Sequence, residues 1–120
     1  MKKRDFADKP QRRAERQKDM VARVWTGTTQ SADADKYLTH LTRKIFPEMR
    51  TLEGNAGAWV LRRPVGDTME FIVMTLWQSR DAIRAFAGDN IEVAVVPPEA
   101  QALLAAWDPH ATHYDVLVAC

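Results

Sequence analysis

A chain of 120 residues with 46% hydrophobic and 28% charged side chains sets an expectation of one soluble domain with a single thin core. No run approaches the roughly 18–20 apolar residues of a membrane span, and the basic start lacks the apolar stretch of a secretory signal. One cysteine, Cys120, excludes an internal disulfide and a thiolate zinc cluster, which makes a cytoplasmic protein the simplest expectation.

Charge is unevenly placed. Residues 1–19 hold eight Lys/Arg and four Asp/Glu, whereas the rest holds nine and twelve, so the extension carries +4 and the body −3. The body is therefore not expected to bind nucleic acid. The extension has only Phe6 as a large apolar side chain and is expected to be disordered or a loosely helical arm. It reads either as a basic tail or as sequence ahead of a true start at Met20; residues 20–120 form the expected domain.

From Met20 the elements follow in order. Val21 to Thr28 is β-branched and aromatic, a strand with Val21, Arg23 and Trp25 on one face. Ser31 or Asp33 offers a helix cap. Ala34, Leu38, Leu41 and Ile45 then give one apolar stripe, widened by Tyr37 and Phe46 and ended by Pro47. A glycine-containing turn through Gly57 leads to a strand over 58–63, and Pro64-Val65-Gly66-Asp67 makes a hairpin to a strand from Met69 to Trp77. That strand is apolar at nearly every position, which predicts cover on both faces.

Ser79 caps a short helix through Phe86, stopped by Gly88. Residues 91–96 read as an edge strand or an irregular apolar segment. Glu99 to Trp107 reads as a helix, and Thr112 to Val118 as a final strand. The order β-α-β-β-α-(α)-β is the ferredoxin-like split βαβ arrangement, an α+β fold with a four-stranded antiparallel sheet. Helices on one side leave the other face open. A second copy is the obvious cover, which predicts a homodimer through the open face, a dimeric α+β barrel.

Residues 20–118 resemble the antibiotic biosynthesis monooxygenase family. The resemblance is carried by Ala22-Arg23-Val24-Trp25, by Thr51-Leu52-Glu53-Gly54 with Gly57, and by the run from Phe71 to Ser79. Ala82-Ile83, the stretch from Ala85 to Gly88, Pro98-Glu99 and the stretch from His113 to Val116 extend it. It implies a dimeric barrel and, among the family's activities, oxidation of aromatic polyketides or quinols by dioxygen without a cofactor. Heme-degrading members carry an asparagine on the first strand, a tryptophan late in the second helix and a histidine beyond it. Those places fall at about Trp25, Phe86 and near Val96, so heme degradation is not expected.

Cofactor-free oxygenation needs an apolar aromatic cavity, a base near the phenol and a donor for the developing oxyanion. The candidate bases are Tyr37, His40 and His113, and the candidate pocket residues are Trp25, Phe46, Trp59, Trp77 and Phe86. Arg23 is the candidate for an anionic substrate, although it also stands where it could pair with Asp115. Each aromatic has core or dimer interface as its plainer role, His113 a structural hydrogen bond and His40 the surface. His110 reads as a loop residue. No glycine-rich phosphate loop, nucleophile elbow or metal-ligand spacing is present, so neither cofactor nor metal is expected. Two other functions stay open: a non-catalytic dimeric ligand-binding or stress-related barrel with a filled interior, and a cyclisation or isomerisation that uses the same cavity without oxygen.

Overall fold

Alternation in the strands divides their side chains between a helix-covered face and an open one, and the computed structural model, which describes residues 19–119, shows the division clearly. The central strand β1 (Val21–Gln30) pairs antiparallel with β3 (Thr68–Trp77), which pairs in turn with β2 (Asn55–Val65). On its other edge β1 takes two short strands end to end. These are β4 (Leu104–Trp107) opposite Gly27 to Thr29 and β5 (Thr112–Asp115) opposite Val21 to Val24. The sheet has five strands in four columns, a ferredoxin-like order whose last strand is broken in two.

The first helical run opens with a 3-10 turn (Ser31–Asp33) and continues as α1 (Ala34–His40), a π turn (Leu41–Ile45) and α2 (Phe46–Arg50). Pro47 does not end it, contrary to the sequence expectation. Proline lacks the N–H a helix interior needs and its ring crowds the carbonyl four residues back. The helix widens just ahead of it, and the Phe46 N–H reaches the Leu41 carbonyl, five residues back. Neither Ser31 nor Asp33 caps the helix through its side chain; Ser31 Oγ instead donates to the Asp67 carbonyl at 2.9 Å, tying the run to the β2–β3 turn.

α3 (Arg80–Ala87) begins as expected, with the Ala82 N–H donating to Ser79 Oγ at 3.1 Å, and Gly88 ends it. Gly54 must be glycine because its φ is +91° and a Cβ there would lie 2.5 Å from Ala82 Cβ. Residues 88–97 form no named element and meet the sheet at the bridge Val93–His110.

The expected helix over 99–107 is shorter: α4 (Pro98–Gln101) lasts one turn, and Leu104 to Trp107 joins the sheet. The alanine-rich run suits a helix locally, but the free edge of β1 at Gly27 to Thr29 supplies ladder partners that a helix there would leave unmet. The last strand stops at Asp115 rather than Val118.

Two groups of buried side chains fill the space between sheet and helices. One gathers Tyr37, Leu41, Phe46, Phe71, Ala100 and Leu104. The other gathers Val21, Met49, Trp77 and Ile83. On the open face of β3, Ile72, Met74 and Leu76 are only half-buried, and Trp59, Leu61 and Tyr114 on the neighbouring strands are about half exposed at 48%, 53% and 54%. The cover expected on both faces of β3 is present on one within the single chain. Among the described residues no helix is long and apolar enough to cross a membrane.

Candidate active site

Between the two core groups lies a cavity of about 570 Å³, counting its open mouth. Its floor is the sheet, with Arg23 and Trp25 from β1 and Val73 and Thr75 from β3. The register sets Arg23 directly between Thr75 and His113, and Trp25 beside Val73. Tyr37, His40, Leu41, Ile45 and Met49 form one wall, and Phe86 of α3 another. Val95, Val96, Pro97 and Ala100 close it. The π turn therefore lies in the wall, between His40 and Phe46.

Trp25 is fixed by two features. Its indole ring lies across Gly27, where an added Cβ would come 2.6 Å from the ring. Its Nε1–H donates to the Asp108 carbonyl at 2.7 Å. With that donor used, Trp25 offers the cavity an aromatic surface.

Tyr37 is 2% exposed and packs edge-on against Phe71 at 5.0 Å between centroids. Burial pushes its phenol well above the ordinary tyrosine range, so it stays protonated at neutral pH and can act as a hydrogen-bond donor. His40 stacks beside it, 6.3 Å away with the rings 27° apart. His40 Nε2 is buried and has no hydrogen-bond partner among the described residues. Burial lowers the pKa of this imidazole, and Lys44 lowers it further, while Glu99 and Glu48 act the other way. At neutral pH His40 is therefore uncharged, with one ring nitrogen able to accept a proton.

Arg23 is 5% exposed and does not pair with Asp115, whose carboxylate takes Arg80 at 3.0 Å. Its Nη1 donates to the Ile91 carbonyl and, at 2.9 Å, to His113 Nε2; its Nη2 donates to the Val93 carbonyl at 3.1 Å. The guanidinium also lies 5.9 Å from the centroid of the Phe86 ring. Burial lowers the Arg23 pKa to about 10, still charged at neutral pH. His113, as acceptor, must be neutral at Nε2. Its pKa is lowered by burial first, then by Arg23 and Arg80, against an opposing effect of Glu92.

The structure thus gathers Arg23, Trp25, Tyr37, His40 and Phe86 around one cavity. His113 is not in the lining and stands behind Arg23. Phe46 belongs to the first core group, and Trp77 is wholly buried in the second, its Nε1–H donating to Thr75 Oγ1 at 2.8 Å. Trp59 projects from the opposite face of the sheet. The lining residues that sequence reasoning missed include Met49, Thr75, Val95 and Pro97. Thr75 carried the one available signal, a hydroxyl inside an otherwise apolar strand. Among the described residues no group of three or more His, Cys, Asp or Glu is placed to hold a metal ion.

No family model matches the chain, and no curated protein matches it. Solved structures do. A Bacillus cereus protein named an antibiotic biosynthesis monooxygenase superposes with a TM-score of 0.58 at 20% identity, over 84% of this chain and 96% of that one. SnoaB of Streptomyces nogalater, a cofactor-independent oxygenase, gives 0.53 at 19% identity, over 80% and 89%. A dimeric ferredoxin-like protein from an uncultured marine organism gives 0.58 at 12% identity, over 84% and 98%. The chain has the ferredoxin-like α+β fold of the antibiotic biosynthesis monooxygenases, and at these identities the likeness is one of fold.

Both lowered histidines make stability depend on pH with a fixed sign. The unfolded chain takes up each proton near pH 6.5, whereas the folded protein resists until lower pH. Their contribution is complete above about pH 6.5 and is lost as pH falls through the lowered values. Denaturant melts between pH 7.5 and 5 are expected to show that decline, and a shallower one in His113→Gln, which keeps an acceptor for Arg23 without a titrating ring.

Proposed function

We propose that this protein is a cofactor-independent monooxygenase acting on a small aromatic, quinol or polyketide-like substrate. The observation that carries the proposal is that His40, whose buried Nε2 has no hydrogen-bond partner among the described residues, lines an aromatic cavity beside a tyrosine that stays protonated. Kinship of fold with SnoaB, itself a cofactor-independent oxygenase, supports it.

The chemistry follows from the residues. A phenolic substrate lying against Trp25 and Phe86 transfers its hydroxyl proton to His40 Nε2, leaving an electron-rich phenolate. Tyr37 O–H donates a hydrogen bond to oxygen-centred charge as it develops. The phenolate supplies the electrons that reduce dioxygen, and a C–O bond forms at the activated ring carbon. For an anthrone-type methylene, two C–H bonds give way to C=O. One oxygen atom of dioxygen enters the product and the other leaves as water, with all four electrons drawn from the substrate. The largely apolar lining gives the phenolate a less polar setting than water.

Oxygen uptake by metal-free protein with hydroquinones and anthrone-type phenols tests this directly. The expected result is uptake above the spontaneous rate, reduced about 100-fold or more in His40→Ala and less severely in Tyr37→Phe. Because His40 is already neutral at pH 7, its contribution to the rate should be level above about pH 6.5 and fall on acidification. No uptake with any substrate would leave a ligand-binding barrel as the function, and equal uptake in His40→Ala would remove His40 as the base.

The same reading includes a homodimer through the open face of the sheet, where Trp59, Leu61 and Tyr114 stand half exposed around Ile72 and Met74. An apolar sheet face of this kind is usually covered, and a two-fold copy presents the complementary patch. The fold is shared with a protein that is itself dimeric. Sedimentation velocity is expected to give a dimer for the native chain and a folded monomer for Leu61→Asp. A native monomer at micromolar concentration would rule the interface out.

A further inference from the structure

Arg23 carries a full positive charge at the floor of the cavity, and no negative group among the described residues pairs with it. Its acceptors are two backbone carbonyls and a neutral imidazole. No carboxylate among the described residues lies within ion-pair distance, and Asp115 on the adjoining strand is engaged by Arg80. A guanidinium has five N–H donors. Three are used, which leaves Nε–H and one Nη2–H without an acceptor among the described residues. Buried charge of this kind is costly unless paired, and the ring of Phe86 offsets it only in part.

The surroundings define what would pair with it. Elsewhere the cavity is mostly apolar and aromatic, with Trp25, Val73 and Phe86 near the guanidinium's strand or against it. A planar carboxylate matches the arginine fork, and a fused ring matches the lining.

We infer that the ligand of this cavity is an aromatic carboxylate, seated with its carboxylate on the two unused donors of Arg23 and its ring against Trp25 and Phe86. The inference names a substrate class for the site proposed above and rests on the oxygenase reading only for what happens after binding. Arg23 selects the anion and takes no part in the proton transfer assigned to His40.

Binding of naphthoate and of uncharged naphthalenemethanol, followed by calorimetry on the full chain, separates the possibilities. Naphthoate is expected to bind about tenfold or more tightly than the alcohol. Arg23→Gln should abolish that preference while still binding the alcohol. Arg23→Lys, which keeps charge without the fork, should fall between them and serves as the test if Arg23→Gln does not fold. Equal affinities in the native protein, no binding of either compound, or an undiminished preference in both variants would overturn the inference. Preference for naphthoate without oxygen uptake would uphold it while removing the oxygenase reading. Uptake of oxygen with neutral phenols and indifference to naphthoate would do the reverse.

Discussion

The arrangement of the cavity in this protein depends on one buried guanidinium. Arg23 comes from near the start of the central strand, where neighbouring strands on both sides fix its backbone. From there it reaches the carbonyls of Ile91 and Val93 in a segment that forms no named element. Carbonyls outside the sheet have no ladder partners, and the guanidinium supplies donors to these two. The Ala94 N–H to the Pro109 carbonyl and the Ala111 N–H to the Glu92 carbonyl, both 2.9 Å, fasten the same stretch to the start of β5. The continuation of that segment, Val95 to Pro97, closes the cavity. Arg23 is thus at once part of the floor and a support of the roof.

The cavity is a consequence of how the core is divided. Phe71 and Trp77 lie six residues apart on the helix-covered face of β3 and anchor separate core groups. Between them the face offers Val73 and Thr75, smaller side chains that leave space. The helical run widens into a π turn opposite this gap, and Tyr37 and His40 just ahead of it line the space. Fold and chemistry meet at the same few residues: an uncharged histidine, a protonated tyrosine and a charged arginine lie in one apolar enclosure.

Much of the fold was legible in the sequence because its cues are local and periodic. The strand from Val21, the hairpin at Gly66, the strand ending at Trp77 and the Ser79-capped helix all stand where alternation and turn residues put them. The exceptions required long-range information. Leu104 to Trp107 reads as a helix until the free edge of β1 is known, and Pro47 reads as a stop until the π turn ahead of it is seen. The cavity lining was legible in part: Arg23, Trp25, Tyr37, His40 and Phe86 were named and do lie around one cavity. Aromaticity alone could not separate Trp25 from Trp59 and Trp77: the register puts Trp59 on the opposite face, whereas Trp77 shares the face of Trp25 and is buried in the second core group. His113 drew notice as a polar residue in a final strand, and the structure places it as the acceptor behind Arg23.

The support of the cavity by Arg23 is tested most directly by hydrogen exchange in the native protein and in Arg23→Gln. Faster exchange is expected in the variant at Val93, Ala94 and their neighbours, with the β1–β3 ladder as protected as before. Unchanged exchange over residues 91–97 would show that the roof stands without the guanidinium, and would contradict the account.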